Sequence, residues 1–132
     1  MGLTPFLMFT GQAEEAMRFY VSTFPSAEIL DIGRYGPEDP GREGTVKSAT
    51  FRIADQTLRC IDSPDVHAFR FTPAVSFFFD CEDEETLDAL FDRLSDQGSV
   101  FMPPDRYPFA QRFTWISDRY GVSWQLSVAR DE

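Results

Sequence analysis

Residues 4–24 read TPFLMFTGQAEEAMRFYVSTF, and residues 74–94 read AVSFFFDCEDEETLDALFDRL. Each stretch opens with a short apolar run of strand character and turns through a polar corner into a helical pattern. In the first, Ala13, Ala16, Met17, Tyr20 and Phe24 recur at helical spacing, with Glu14, Glu15 and Arg18 on the outer face. In the second, Leu87, Leu90, Phe91 and Leu94 stand at i, i+3, i+4 and i+7. The acidic run at 82–85 lies at that helix's start, where the dipole favours negative charge. Glu14-Glu15 aligns with Glu84-Glu85, Met17 with Leu87 and Phe24 with Leu94, all at an offset of 70.

Working outward, each half continues in the same way. Pro25 stops the first helix. Strands are expected at 27–34, 45–53 and 57–62, separated by a Gly- and Pro-dense loop at 35–44 and a tight turn at Asp55-Gln56. Residues 63–71 are a connector. The second half expects a strand at 74–80, a helix capped by Gly98, and a short strand SVFM. A loop with three prolines follows at 103–112, a candidate lid carrying Tyr107, Phe109 and Arg112. Strands at 113–117 and 122–128 are joined by the turn DRYG, where Gly121 supplies the unusual backbone angle. The order is β-α-β-β-β twice, an α+β duplication. Neither half buries its sheet alone, so residues 1–132 read as a single domain of two modules, about 1–66 and 67–132.

Composition excludes several classes. With 42% hydrophobic and 15% aromatic residues, the chain is neither disordered nor low-complexity. No apolar run approaches the roughly 18 residues of a membrane span. A net charge of −10 repels phosphate backbones, so nucleic acid is not an expected partner, whereas a cationic ligand is weakly favoured. Cys60 and Cys81 stand far apart without a CxxC, giving neither a disulfide framework nor a zinc finger. The start MGLTPFLMF lacks a basic n-region and a long apolar core, and Phe6 breaks the myristoylation pattern. A reduced, cytoplasmic setting is expected.

The segments Pro5-Phe6-Leu7-Met8-Phe9, Gln12-Ala13-Glu14-Glu15-Ala16 and Phe19-Tyr20 carry a family resemblance. So do Arg34-Tyr35-Gly36, Cys60-Ile61-Asp62-Ser63, Phe71-Thr72-Pro73, Phe113-Thr114-Trp115 and Gly121-Val122-Ser123-Trp124-Gln125-Leu126. Together they resemble the vicinal oxygen chelate superfamily, which includes glyoxalase I, extradiol dioxygenases, and fosfomycin and bleomycin resistance proteins. Within it the chain is most similar to the PhnB-like branch, labelled demethylubiquinone methyltransferase-like. The resemblance implies two βαβββ modules curled around a shared cavity, in a homodimer. The glycines are scattered at turns and caps, so no Gly-rich loop after a strand offers a seat for adenosylmethionine, and methyl transfer is not carried over.

In chelating members of the superfamily, His, Glu and sometimes Gln ligands lie on the first, fourth, fifth and eighth strands. The matching positions here are Pro5, Cys60, Ser76 and Gln125, to within about one residue. A divalent metal with an open site needs imidazole or carboxylate donors, which these are not. No metal and no other cofactor is therefore expected, and Asp62 is the one hard ligand nearby. Strand alternation puts Cys60 and Asp62 on one face, where Asp62 is a candidate general base or anchor for a cationic group. Cys60 reads as a buried structural thiol rather than a nucleophile, since a carboxylate raises a thiol pKa. Trp115, Trp124, Gln125, Phe78 and Ser76 are expected to line the cavity with them, the indoles stacking on a flat ligand. The single histidine, His67, falls in the connector.

The leading reading is a metal-free binding protein for a small, partly apolar or cationic molecule. A second reading is a glyoxalase- or dioxygenase-type enzyme, either with a metal site rebuilt around Asp62 and Gln125 or with Asp62 as base. A third is an acidic dimeric interaction protein.

Overall fold

The computed structural model describes residues 1–64 and 67–131. Its first unit, residues 1–68, contains β1 (Phe6–Phe9), α1 (Ala13–Thr23), β2 (Ala27–Arg34), β3 (Val46–Ile53) and β4 (Gln56–Asp62). The second, residues 69–132, contains β5 (Ser76–Asp80), α2 (Glu84–Leu94), β6 (Ser99–Tyr107), β7 (Ala110–Ser117) and β8 (Ser123–Val128). The sheets have matching orders, β1-β4-β3-β2 and β5-β8-β7-β6. In each, the first strand runs parallel to the last and the remaining pairs are antiparallel.

In the first unit, α1 buries Ala13, Ala16, Met17 and Tyr20 against one face of its sheet. Tyr20 stacks on Phe51 with ring centroids 6.2 Å apart, which marks that face as the one under the helix. Phe51 pairs with Leu58, Ala49 with Cys60, and Leu7 with Cys60, so this face carries a continuous apolar layer. The other face carries Phe6, Met8, Arg59 and Ile61 along β1 and β4, with the Arg59 guanidinium 5.6 Å from the Phe6 ring centroid.

The N-terminus of α1 has no side-chain cap of its own, because Gln12 makes no such bond. The carboxylate of Asp62, at the end of β4, supplies it. Its Oδ1 accepts from the N–H groups of Gly11 at 2.7 Å and Ala13 at 3.0 Å. Its Oδ2 accepts from the Val46 N–H at 2.9 Å, and the Tyr35 hydroxyl donates to the Asp62 carbonyl. One side chain thus joins β4, the helix entrance and the start of β3. In the second unit α2 is capped locally, Asp83 accepting from the Thr86 N–H at 2.7 Å.

The second unit is longer in strand than its sequence suggests. Residues 103–112, expected as a loop and lid, form the body of a β-hairpin: β6 runs to Tyr107 and β7 starts at Ala110. Pro103 and Pro104 lack a donor, but β6 is an edge strand, and its register against β7 shifts between Met102 and Asp105. Gly98 is not the helix cap, since α2 ends at Leu94 with Ser95 beyond it. Gly98 is needed for a different reason: a Cβ there would collide with the Ser117 carbonyl oxygen. The first hairpin turns at Ala54-Asp55, one residue earlier than expected, and Gln56 already belongs to β4.

Asp62 is 2% exposed and satisfies three backbone donors. Asp62→Ala is expected to lower unfolding free energy by about 3 kcal/mol in urea titrations, because the buried Ala13 and Val46 N–H groups lose their acceptor. The exposed Asp31→Ala is expected to stay within about 0.5 kcal/mol of the parent. Equal losses in the two variants would show that the capping role is absent.

Candidate functional site

In the second unit the face under α2 is identified by Arg112, whose Nε donates to Asp88 of the helix at 2.7 Å. Thr114, Ile116, Trp124 and Leu126 share that face and are buried. The opposite face carries a row of three paired residues across three strands: Trp115 on β7, Gln125 on β8 and Phe78 on β5. The next row holds Ser117, Ser123 and Ser76. Aromatic groups extend the surface: Phe101 lies 4.9 Å from the Trp115 ring, and Phe78 lies 6.3 Å from Phe113. Phe78 is 57% exposed although it sits in mid-strand.

The polar groups on this face form a chain. The Trp115 indole N–H donates to Ser123 Oγ at 2.9 Å, and Ser123 Oγ lies 2.5 Å from Ser76 Oγ. Gln125 is half-buried between Trp115 and Phe78. The structure therefore brings Ser76, Phe78, Trp115 and Gln125 together on one face.

It places the other expected lining residues on the helix-covered faces. Trp124 is 3% exposed, and its indole N–H donates to Asp118 Oδ2 at 2.8 Å. The other Asp118 oxygen accepts from the Tyr120 and Val122 N–H groups, so Asp118 holds the turn and the indole together. Cys60 and Asp62 do share a face, but it is the one under α1. The residues of β4 on the opposite face are Arg59 and Ile61. A shift of one residue in matching β4 to a ligand position moves every side chain to the other face of the sheet. The Asp62 carboxylate accepts three backbone N–H bonds, two on Oδ1 and one on Oδ2, and so caps α1. His67 shares a 2.7 Å hydrogen bond with Ser63 Oγ. Sequence reasoning missed Ser123 and Phe101. The signal for Ser123 was its place two residues before Gln125, hence on the same face.

Burial pushes the Cys60 thiol up to about 12, with the Asp62 charge adding to it. Burial likewise raises Cys81 to about 12, against a lowering hydrogen bond with the Ser127 backbone. Neither is a thiolate near neutral pH.

Polar clefts open in the second unit. One, of about 430 Å³, is lined by Glu84, Asp105, Arg106, Gln111, Arg112 and Arg130. Its charges are largely engaged: Arg112 with Asp88, Gln111 with Glu84, and Arg130 with the Pro108 carbonyl. In the first unit a cleft of about 170 Å³ borders Arg42, Thr45 and Asp62.

A metal of the kind the superfamily implies does not fit these side chains. Among the described residues, no three His, Cys, Asp or Glu groups are placed to hold one. On the second sheet the face away from α2 offers serine hydroxyls, the Gln125 carboxamide and a single carboxylate, Asp80, too few donors of the required kind. The equivalent pairs on the first sheet, Phe6–Arg59 and Met8–Ile61, offer a cation and apolar groups. Among the described residues, no helix is long and apolar enough to cross a membrane.

The sequence family described as 3-demethylubiquinone-9 3-methyltransferase matches residues 1–127, nearly the whole chain. The chain belongs to this family. A PhnB protein from Bacillus cereus is 50% identical, with 98% of this chain and 100% of that one covered and a TM-score of 0.94. Protein YjdN of Escherichia coli (strain K12) is 22% identical over 100% of this chain and 98% of its own length. A glyoxylase/bleomycin resistance protein/dioxygenase domain from Frankia sp. EAN1pec shares the fold, with a TM-score of 0.69 at 17% identity, 99% of this chain and 93% of that one being covered. Each βαβββ unit of this PhnB-like chain thus has the glyoxalase-type fold.

In the folded protein both thiols are expected to resist 5,5′-dithiobis(2-nitrobenzoate) at pH 8 and to react once urea unfolds the chain. Their linkage has a definite sign. Between the ordinary thiol pKa near 9 and about 12, the unfolded chain releases protons that the folded one keeps, so stability falls as pH rises through that window. Rapid labelling of the native protein, or stability flat from pH 9 to 12, would contradict the burial described.

Proposed function

We propose that this PhnB-like chain binds a small, flat, partly apolar molecule on the face of the second sheet turned away from α2, without a metal. The observation that supports this is the row Trp115–Gln125–Phe78. Two strand spacings, about 10 Å, separate the backbones of its aromatic members. That leaves room for one aromatic slab above the Gln125 amide, gripped by ring contacts that each add to simple burial. Aromatic side chains on a half-open surface with a few convergent polar groups are the ordinary composition of a small-molecule site. Asp80, exposed and two residues beyond Phe78 on the same face, suits a cationic substituent, as does the net charge of −10.

The experiment is an isothermal titration screen of flat aromatic amines and neutral bicyclic aromatics against the full chain. Trp115→Ala is expected to weaken a ligand so found by about tenfold or more, the usual scale for an aromatic anchor. Unchanged affinity would remove Trp115 from the site.

A homodimer is favoured by a separate observation. β6 is an edge strand with Val100 and Phe101 exposed, and Phe109 follows it exposed at the hairpin tip. Exposed apolar groups along a free edge favour pairing with a second copy. Sedimentation equilibrium is expected to give twice the chain mass of 15.1 kDa, and a Val100→Lys variant to shift the balance toward monomer. A monomer at all concentrations would reject this.

A further inference from the structure

The hydroxyl chain on the second sheet has a direction that its burial fixes. Ser123 is 2% exposed, and its Oγ already accepts the Trp115 indole proton. The remaining partner within reach of its own proton is Ser76 Oγ, 2.5 Å away. A buried hydroxyl rarely leaves its proton unpaired, so Ser123 donates and Ser76 accepts. The Ser76 proton is then left without an acceptor among the described residues, on a half-buried side chain that faces the same way as Phe78 and Gln125. The Gln125 amide likewise has no partner among the described side chains, and it lies one row along from Ser76 on the neighbouring strand.

We propose, resting on the binding face argued above, that Ser76 and Gln125 form a paired donor site that selects ligands bearing a neutral acceptor oxygen on the aromatic system, such as an aryl carbonyl. Trp115 feeds this site as well as flanking it. Its N–H donates into Ser123, whose hydroxyl donates into Ser76, and each bond in such a chain polarises the next. Ser123 is therefore a positioning residue: it locks the Trp115 ring and orients the Ser76 proton outward. The same face explains why the donors are neutral. No cation stands in either row across Trp115–Gln125–Phe78 or Ser117–Ser123–Ser76, so an acceptor oxygen is read by hydrogen bonding rather than by charge.

The test uses two probes of nearly equal size, 2-acetylnaphthalene and 2-ethylnaphthalene, which differ by the carbonyl oxygen. Titrations of the full ¹⁵N-labelled chain are followed at the Trp115 indole and Gln125 amide signals. The acetyl compound is expected to bind about tenfold more tightly, the scale of one or two neutral hydrogen bonds. Ser76→Ala is expected to abolish that preference, bringing the two affinities together, and Ser76→Thr, which keeps the hydroxyl, to retain it. The coupling along the chain is read without ligand: Ser123→Ala is expected to shift the Trp115 indole N–H resonance strongly and speed its exchange, and Ser76→Ala to shift it less. A preference that survives Ser76→Ala, or an indole signal disturbed equally by both alanine variants, would overturn the proposal. Equal binding of the two probes to the parent chain would overturn the donor site but keep the aromatic face. Binding of neither would overturn both.

Discussion

A single buried carboxylate ties the first module together. Asp62 ends β4, and its two oxygens hold the entrance of α1 and the start of β3. The helix N-terminus would otherwise bury unpaired N–H groups, since Gln12 does not cap it. With the helix anchored there, its apolar stripe falls on Phe51, Leu58 and Cys60, and the opposite face of the sheet is left for other use. Asp118 plays a parallel part in the second module by a different route, joining the β7–β8 turn to the indole of Trp124 beneath α2. In both, an acidic side chain holds N–H groups of the chain, and in the first it is the one the sequence offered as a base.

The duplication sets two equivalent faces and the side chains then make them different. Phe6–Arg59 and Met8–Ile61 of the first sheet correspond by topology to Ser76–Ser123 and Phe78–Gln125 of the second. The first face pairs a cation with an aromatic ring, whereas the second couples two hydroxyls, an amide and an indole beside exposed rings. The binding chemistry proposed for this chain therefore belongs to one module. A site of neutral donors and aromatic walls calls for a ligand that is largely apolar with a few hydrogen-bonding atoms.

The order of strands and helices was legible because its signals are local. The helical stripes from Ala13 to Phe24 and from Leu87 to Leu94 are periodic over about three and about two turns, and the offset of 70 between Glu14-Glu15 and Glu84-Glu85 marks the repeat. The stretch 103–112, between strands expected at 99–102 and 113–117, was not legible as a hairpin. Pro103 and Pro104 read as loop residues because Pro cannot donate, and only an edge position with a shifted register makes them acceptable in a strand. Gly98 read as a cap for a similar reason, when its constraint is the approach of the Ser117 carbonyl from a strand 19 positions away.

The candidate site divides along the same line. Ser76, Phe78, Trp115 and Gln125 were within reach of the sequence because alternation along short strands assigns them one face. Cys60, Asp62 and Trp124 alternate just as cleanly, but alternation does not say which face a helix will cover. That choice came from packing: α1 and α2 each bury one face of their sheet, and Asp62 and Asp118 fix the chain on that side. The sequence by itself determined the two-module α+β order and the pairing of residues onto faces, since both rest on periodicity and turn chemistry. The tertiary structure decided which face is closed by a helix and which presents Trp115, Gln125 and Ser76, since burial and hydrogen bonds between residues such as Asp62 and Ala13, 49 positions apart, are properties of the folded chain alone.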